Sequence, residues 1–164
     1  MAVKPEYRLQ TLLKIRERNK DKAEQYLADC LKALRAEQDR LREMEEELER
    51  MIAKREAKIR EYSEKAMRGE MSAMEITSAN VYVERLKELE ENQKNVIEGQ
   101  RAVIAQKEED VKGARQDLVV ASQELKALEK HREKWEQEVK KLELAKQEEF
   151  MDEIAQTIFL NRDE

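Results

Sequence analysis

Apolar residues return every seven positions along most of this chain, while the whole sequence holds only three glycines and one proline. That pairing leaves little besides long helices packed through a narrow seam, because strands and tight turns lack their punctuation and heptads specify coiled coils. Leu13, Leu27, Leu34, Leu41 and Leu48 are separated by multiples of seven residues, and Cys30, Met44 and Met51 follow three residues after Leu27, Leu41 and Leu48. A second series runs through Val83, Ile97, Ile104, Val111, Leu118, Leu125 and Val139. Its members three residues further on include Leu86, Ala114, Ala121, Leu128, Trp135 and Leu142. Two seams imply two packing helices. Past Met51 the apolar positions step to Ile52, Ile59 and Ala66, which predicts a break in the strict heptad and local unwinding of the supercoil near that end.

Between the seams, Gly69 suits the left-handed residue that ends a helix, and Ser72 with Glu75 three residues later forms a capping box. A stop and a start so close together make the helices antiparallel neighbours. The expected fold is all-α: a single long antiparallel two-helix coiled-coil hairpin over 1–164, with helix 1 at about 6–68, a turn at 69–71 and helix 2 at about 72–160. Folding near residue 70 pairs residue k with about 141 minus k. Helix 1 is then exhausted near Trp135, and the C-terminal helix overhangs with Val139, Leu142, Phe150, Met151, Ile154, Ile158 and Phe159 unpaired. Apolar side chains on an unpaired helix point to a partner outside the chain.

Composition narrows the function. With 43% charged and 4% aromatic residues, there is too little apolar material for a layered core enclosing a pocket, so no enzyme is expected. Lys and Arg alternate with Asp and Glu at a net charge of -5, the pattern of solvated helix faces, and nucleic acid is not an expected partner. The opening Met1-Ala2-Val3-Lys4 lacks the apolar stretch of a secretory signal and no run is long enough to span a bilayer, so a cytoplasmic protein is expected. Cys30 alone makes neither an internal disulfide nor a thiolate metal site, and at a seam position it reads as a small packing residue. His131, among Lys and Glu, reads as a solvated histidine rather than a ligand. Gly99 and Gly113 match no phosphate-binding loop and each costs a helix about 1 kcal/mol relative to Ala. No cofactor or metal is expected. Residues 4–22 carry seven Lys or Arg against three acids, a basic end fit for docking. Arg16 and Lys20 also fall on the seam, where they are expected to loosen it.

Three stretches carry a resemblance: Tyr7-Arg-Leu-Gln-Thr-Leu-Leu-Lys-Ile-Arg16; the Gly69 loop followed by Asn80-Val-Tyr-Val-Glu-Arg-Leu86; and Arg132-Glu-Lys-Trp135 followed by Met151-Asp-Glu-Ile-Ala-Gln156. In these, in its length and in its central turn, the chain resembles the FliJ and YscO family, the stalk proteins of flagellar and virulence type III secretion. The resemblance implies a stalk coupling the hexameric secretion ATPase to the export gate, peripheral to the membrane through those partners only, with chaperones of exported subunits as further partners. Lys14, Arg16, Arg18, Lys20, Phe150 and Ile154 are the expected ATPase-binding residues. Tyr82 and Leu86 are the expected export-gate residues by the same resemblance. The competing reading is a structural homodimeric rod of one continuous helix. A prefoldin-like chaperone is disfavoured because no strands are in evidence.

Overall fold

A computed structural model of the chain describes residues 4–162; Met1–Val3, part of the opening expected to lack a secretory signal, lie outside the described residues. Two helices make up nearly all of it: α1, Gln10–Met67, and α2, Ala73–Arg162. No strand occurs among the described residues. The chain reverses between them, so it is a helical hairpin and not a continuous rod.

The reversal follows from the chemistry of residues 66–76. Gly69 adopts a φ of 70°, the left-handed region that is costly for side-chain-bearing residues. Its amide donates to the Ala66 carbonyl at 3.1 Å and the Glu70 amide to the Lys65 carbonyl at 3.0 Å, which satisfies carbonyls that the end of α1 leaves open. Ser72 then caps α2. The Glu75 amide donates to Ser72 Oγ at 3.2 Å, and the Ser72 amide donates back to the Glu75 carboxylate, also at 3.2 Å.

The chain divides into two compact units, one holding the described residues up to Gln25 and from Gln116 onward, the other Tyr26–Arg115. In the second unit, Ala79, Leu86, Ile97, Ile104, Val111 and Ala114 are buried on α2, while the facing leucines and methionines of α1 are half-buried. Two helices cannot enclose a side chain on all sides, so most seam residues keep one flank in water.

The heptad of α1 does not slip. Arg55, Lys58, Tyr62 and Lys65 continue the register of Leu41, Met44, Leu48 and Met51 and are half-buried, as Ile52 is, whereas Ile59 and Ala66 are exposed. The expected step therefore fails at Ile59 and Ala66: long aliphatic stems can fill a seam while their charged heads reach water, so an apolar count misses them. The heads are used. Arg55 Nε donates to both carboxylate oxygens of the buried Glu90, at 2.8 and 3.0 Å. Gln100 Nε2 donates to the Glu37 carbonyl at 2.9 Å and to its carboxylate at 2.6 Å, and Gln93 Nε2 to the Met44 carbonyl at 3.0 Å. Polar groups at seam positions set register, because any slip strands them without partners.

In the first unit α1 starts at Gln10, four residues later than expected, because the segment before it packs across α2. Tyr7 is buried, with its ring 5.2 Å from that of Trp135 and 5.8 Å from that of His131. Tyr7 Oη and His131 Nδ1 lie 2.6 Å apart, the hydroxyl donating when Nδ1 carries no proton. His131 is exposed, as expected, and is in addition a partner of Tyr7. Leu13, only 2% exposed, is the most deeply buried large residue, and Arg16 crosses to Glu124 at 2.6 Å. Of the two seam-placed cations expected to loosen this end, Arg16 thus has a partner on α2.

The offset of 141 minus k places Tyr7 opposite 134 and Arg16 opposite 125; the structure sets them against His131 with Trp135, and against Glu124. Arg55, expected near 86, meets Glu90, and Gln100, expected near 41, meets Glu37.

Candidate functional site: an apolar overhang, a basic end and a methionine tip

Cover on α2 ends abruptly. Trp135 and Val139 are half-buried beneath the N-terminal segment, with Lys4 and Pro5 lining one groove beside them. From Lys141 to Arg162 every residue is exposed. Leu142 still holds the heptad register of Val139, yet it is 64% exposed because no α1 residue remains opposite. Beyond it the apolar stripe changes side. Leu144, Met151 and Ile158 recur every seven residues with Ile154 between Met151 and Ile158, and the step of five from Val139 to Leu144 turns the stripe by about 140° round the helix. The overhang does not extend the hairpin seam. It presents a new apolar face, with Glu148, Glu149, Asp152 and Glu153 behind and beside it.

The expected ATPase-binding residues all lie in this first unit, where the fold separates them into two patches. Arg16 is committed to Glu124, and Lys20 lies 3.9 Å from Glu24 on its own helix. Lys14 and Arg18 are exposed and form no ion pair among the described residues. Phe150 is 62% exposed and Ile154 38%. Arg16 sits level with Glu124, so some 26 residues of α2, about 39 Å, separate its level from Phe150.

In the second unit Tyr82 and Leu86, one turn apart on one side of α2, differ in burial. Leu86 is buried in the seam and lines a groove with Met51 and Leu89, whereas Tyr82 is half-buried. The turn end carries an apolar feature of its own. Met67 and Met74 are 89% and 81% exposed, and Met71 and Met74 line an open groove with Tyr62, Lys65 and Ala79. Flexible thioethers on a surface suit adaptable binding. On α1 next to that groove, Lys58 Nζ donates to Glu61 at 3.2 Å and stands 6.0 Å from the centroid of the Tyr62 ring. The hydrogen bond and charge of Lys58, with Lys65 adding to them, hold the Glu61 carboxyl below its usual range, and Glu61 raises Lys58 in turn. Glu47 raises Arg50 in the same way.

The polar layer of Arg55, Glu90 and Gln100 and the Tyr7 clasp escaped sequence reasoning. Glu90, Gln93 and Gln100 continue the heptad of Val83, Leu86 and Ile97, so counting positions without regard to residue type would have found them. Among the described residues no cluster of three or more His, Cys, Asp or Glu is arranged to hold a metal, and no helix is long and apolar enough to cross a membrane.

No curated protein sequence matches this chain at a significant level. Among solved structures, a protein assigned as a YscO homolog, CT670 of Chlamydia trachomatis, has the same fold: the TM-score is 0.82 over 98% of each chain, at 22% identity. The model of the YscO-like protein family matches residues 4–164. The match embraces the Tyr7 clasp, the Gly69 turn and the bare overhang alike, and the chain belongs to the YscO-like family, helical stalk proteins associated with type III secretion.

Proposed function

We infer that this hairpin is a non-catalytic coupling stalk that joins the hexameric ATPase of a type III export apparatus to the export gate at the cytoplasmic face of a membrane. One observation carries the reading: α2 runs on as helix for more than 20 residues past its last covered position, with large apolar side chains bare throughout. A monomer gains nothing by exposing Leu144, Phe150, Met151 and Ile158 to water, so the segment is built to be covered. Phe150 and Ile154 anchor it in the ATPase. Lys14 and Arg18 steer the approach, since they are the basic-end cations among the four expected that no internal partner engages. At the other end of the function, Tyr82 and the Met67–Met74 turn meet the gate. Leu86 supports Tyr82 from the seam and does not reach a partner directly. Chaperones of exported subunits fit the same adaptable methionine surface.

Hydrogen exchange over 141–162, with and without the cognate ATPase, tests the reading. Strong new protection there is the expected result. Full protection in the free chain, or none gained with the ATPase, would remove the overhang as the docking element.

A further inference from the structure

The outer face of α2 in the second unit is unlike the rest of the surface. Tyr82, Leu89, Val96 and Val103 recur every seven residues beside the seam, and the last three are 41–50% exposed. A strict coiled-coil seam carries apolar residues at two positions per heptad; a third row widens the apolar face beyond that seam, as on helices packed in a larger bundle. Between Leu89 and Gln106 the remaining positions of that face are Asn92, Asn95, Gly99, Ala102 and Gln106, all exposed and none charged, in a chain that is 43% charged. Charge depletion of this kind marks the centre of interfaces. Gly99 and Gly113 lie on the same face two heptads apart. A Cβ at either would meet nothing within 4 Å, so nothing inside the chain requires glycine there, although each weakens the helix.

We propose that this face is covered by a second copy of the chain, whose α2 packs antiparallel against it across a two-fold axis passing between Val96 and Gly99. The occupant follows from complementarity. With residue k opposite 195 minus k, Val96 sits over the second copy's Gly99, Tyr82 over its Gly113, and Arg85 opposite its Asp110, each pair occurring twice by symmetry. Bulk meets absence of bulk, and cation meets anion. A parallel arrangement would instead set Arg85 on Arg85 and Asp110 on Asp110. Arg85 is exposed without an ion pair among the described residues, and Asp110 accepts only from Gln106 Nε2 at 3.1 Å, so both are open to the new contact. Glu88 and Glu109 stand on the rim, where water screens them. The face also adjoins the α1–α2 seam through the groove shared by Leu86 and Leu89, so the pair of hairpins would form a four-helix layer. Pairing covers Tyr82, so the dimer and a gate-bound hairpin exclude each other; the dimer itself rests only on the stripe and not on the stalk reading.

Sedimentation of the full chain over a concentration series up to roughly 1 mM is the test. A reversible dimer is expected, weakened about tenfold or more by Gly99→Leu, while the thermal midpoint of the dilute variant stays equal or rises because leucine favours helix. Arg85→Asp weakens it too, and Arg85→Asp combined with Asp110→Arg restores it. A monomer at every concentration overturns the proposal. So does a dimer that withstands Gly99→Leu and the single charge reversal, or one abolished by Ile154→Asp, which would place the contact in the overhang.

Discussion

Replacing Gly69 and Ser72 together by alanine tests whether the turn is held by backbone chemistry rather than by side-chain packing. At Gly69 an added Cβ meets nothing within 4 Å, so any cost comes from the φ of 70° alone. Holding an alanine in the left-handed region costs about 1–2 kcal/mol, part of which the lower entropy of the unfolded alanine chain adds to stability, leaving ~1 kcal/mol net. Removing the Ser72 hydroxyl leaves the Glu75 amide without its acceptor, a cap loss of about 1 kcal/mol. The double variant should therefore lose ~2 kcal/mol, or about 4–8 °C in thermal midpoint for a chain of this size. Urea and thermal unfolding followed by circular dichroism measure it, and hydrogen exchange at residues 66–76 locates it. Gly69→Asn supplies the control, because asparagine tolerates this φ and should restore most of the glycine's contribution. If Asn costs as much as Ala, or if the double variant melts with the parent, the turn is held elsewhere and the reasoning fails.

Arg18→Glu should slow association with the ATPase at low salt and leave stability unchanged, whereas Arg16→Glu should also cost up to about 1 kcal/mol by breaking the half-exposed pair with Glu124; stopped-flow association with parallel melts separates the two. Phe150→Asp with Ile154→Asp should abolish ATPase binding without lowering the thermal midpoint, since both side chains are exposed; titration calorimetry and a melt decide. Leu86→Ala should destabilise the hairpin by about 2–3 kcal/mol, and Tyr82→Ala should weaken gate binding with a smaller effect on stability; a pull-down on the gate's cytoplasmic part beside a urea melt checks both. The Glu61 carboxyl, held down by Lys58 and Lys65, should titrate below its exposed neighbours in a carbon-detected NMR titration; its contribution is complete above the unfolded carboxylate value of about 4.3 and fades as pH falls through the lower folded value.

The overhang was legible because it depends on subtraction: helix 1 is shorter than helix 2, and an antiparallel turn near 70 leaves the excess bare wherever the details fall. Tyr82 and Leu86 show the opposite case. Both are apolar and four residues apart, and only the packed seam separates the buried leucine from the half-buried tyrosine. The basic end was legible as composition and not as a site, because which cations remain free depends on whether a carboxylate such as Glu124 lies across the seam.

Sequence alone determined the helices, the antiparallel turn and its capping box, and, to within about a turn, the partners of Arg16, Glu37 and Arg55, because these depend on local backbone chemistry and on periodicity. It misjudged the end of α1 after Met51, where Arg55, Lys58, Tyr62 and Lys65 hold the heptad that apolar counting loses. Tertiary structure decided what long polar side chains do once two helices meet. It placed Glu90 under Arg55 and Gln100 against Glu37, folded Tyr7 back onto His131 and Trp135, and engaged Arg16 while leaving Lys14 and Arg18 in water. The physical reason is that a periodic pattern specifies which face of a helix is covered, whereas the partner of a flexible charged or aromatic side chain depends on which groups another, sequence-distant element brings within its reach.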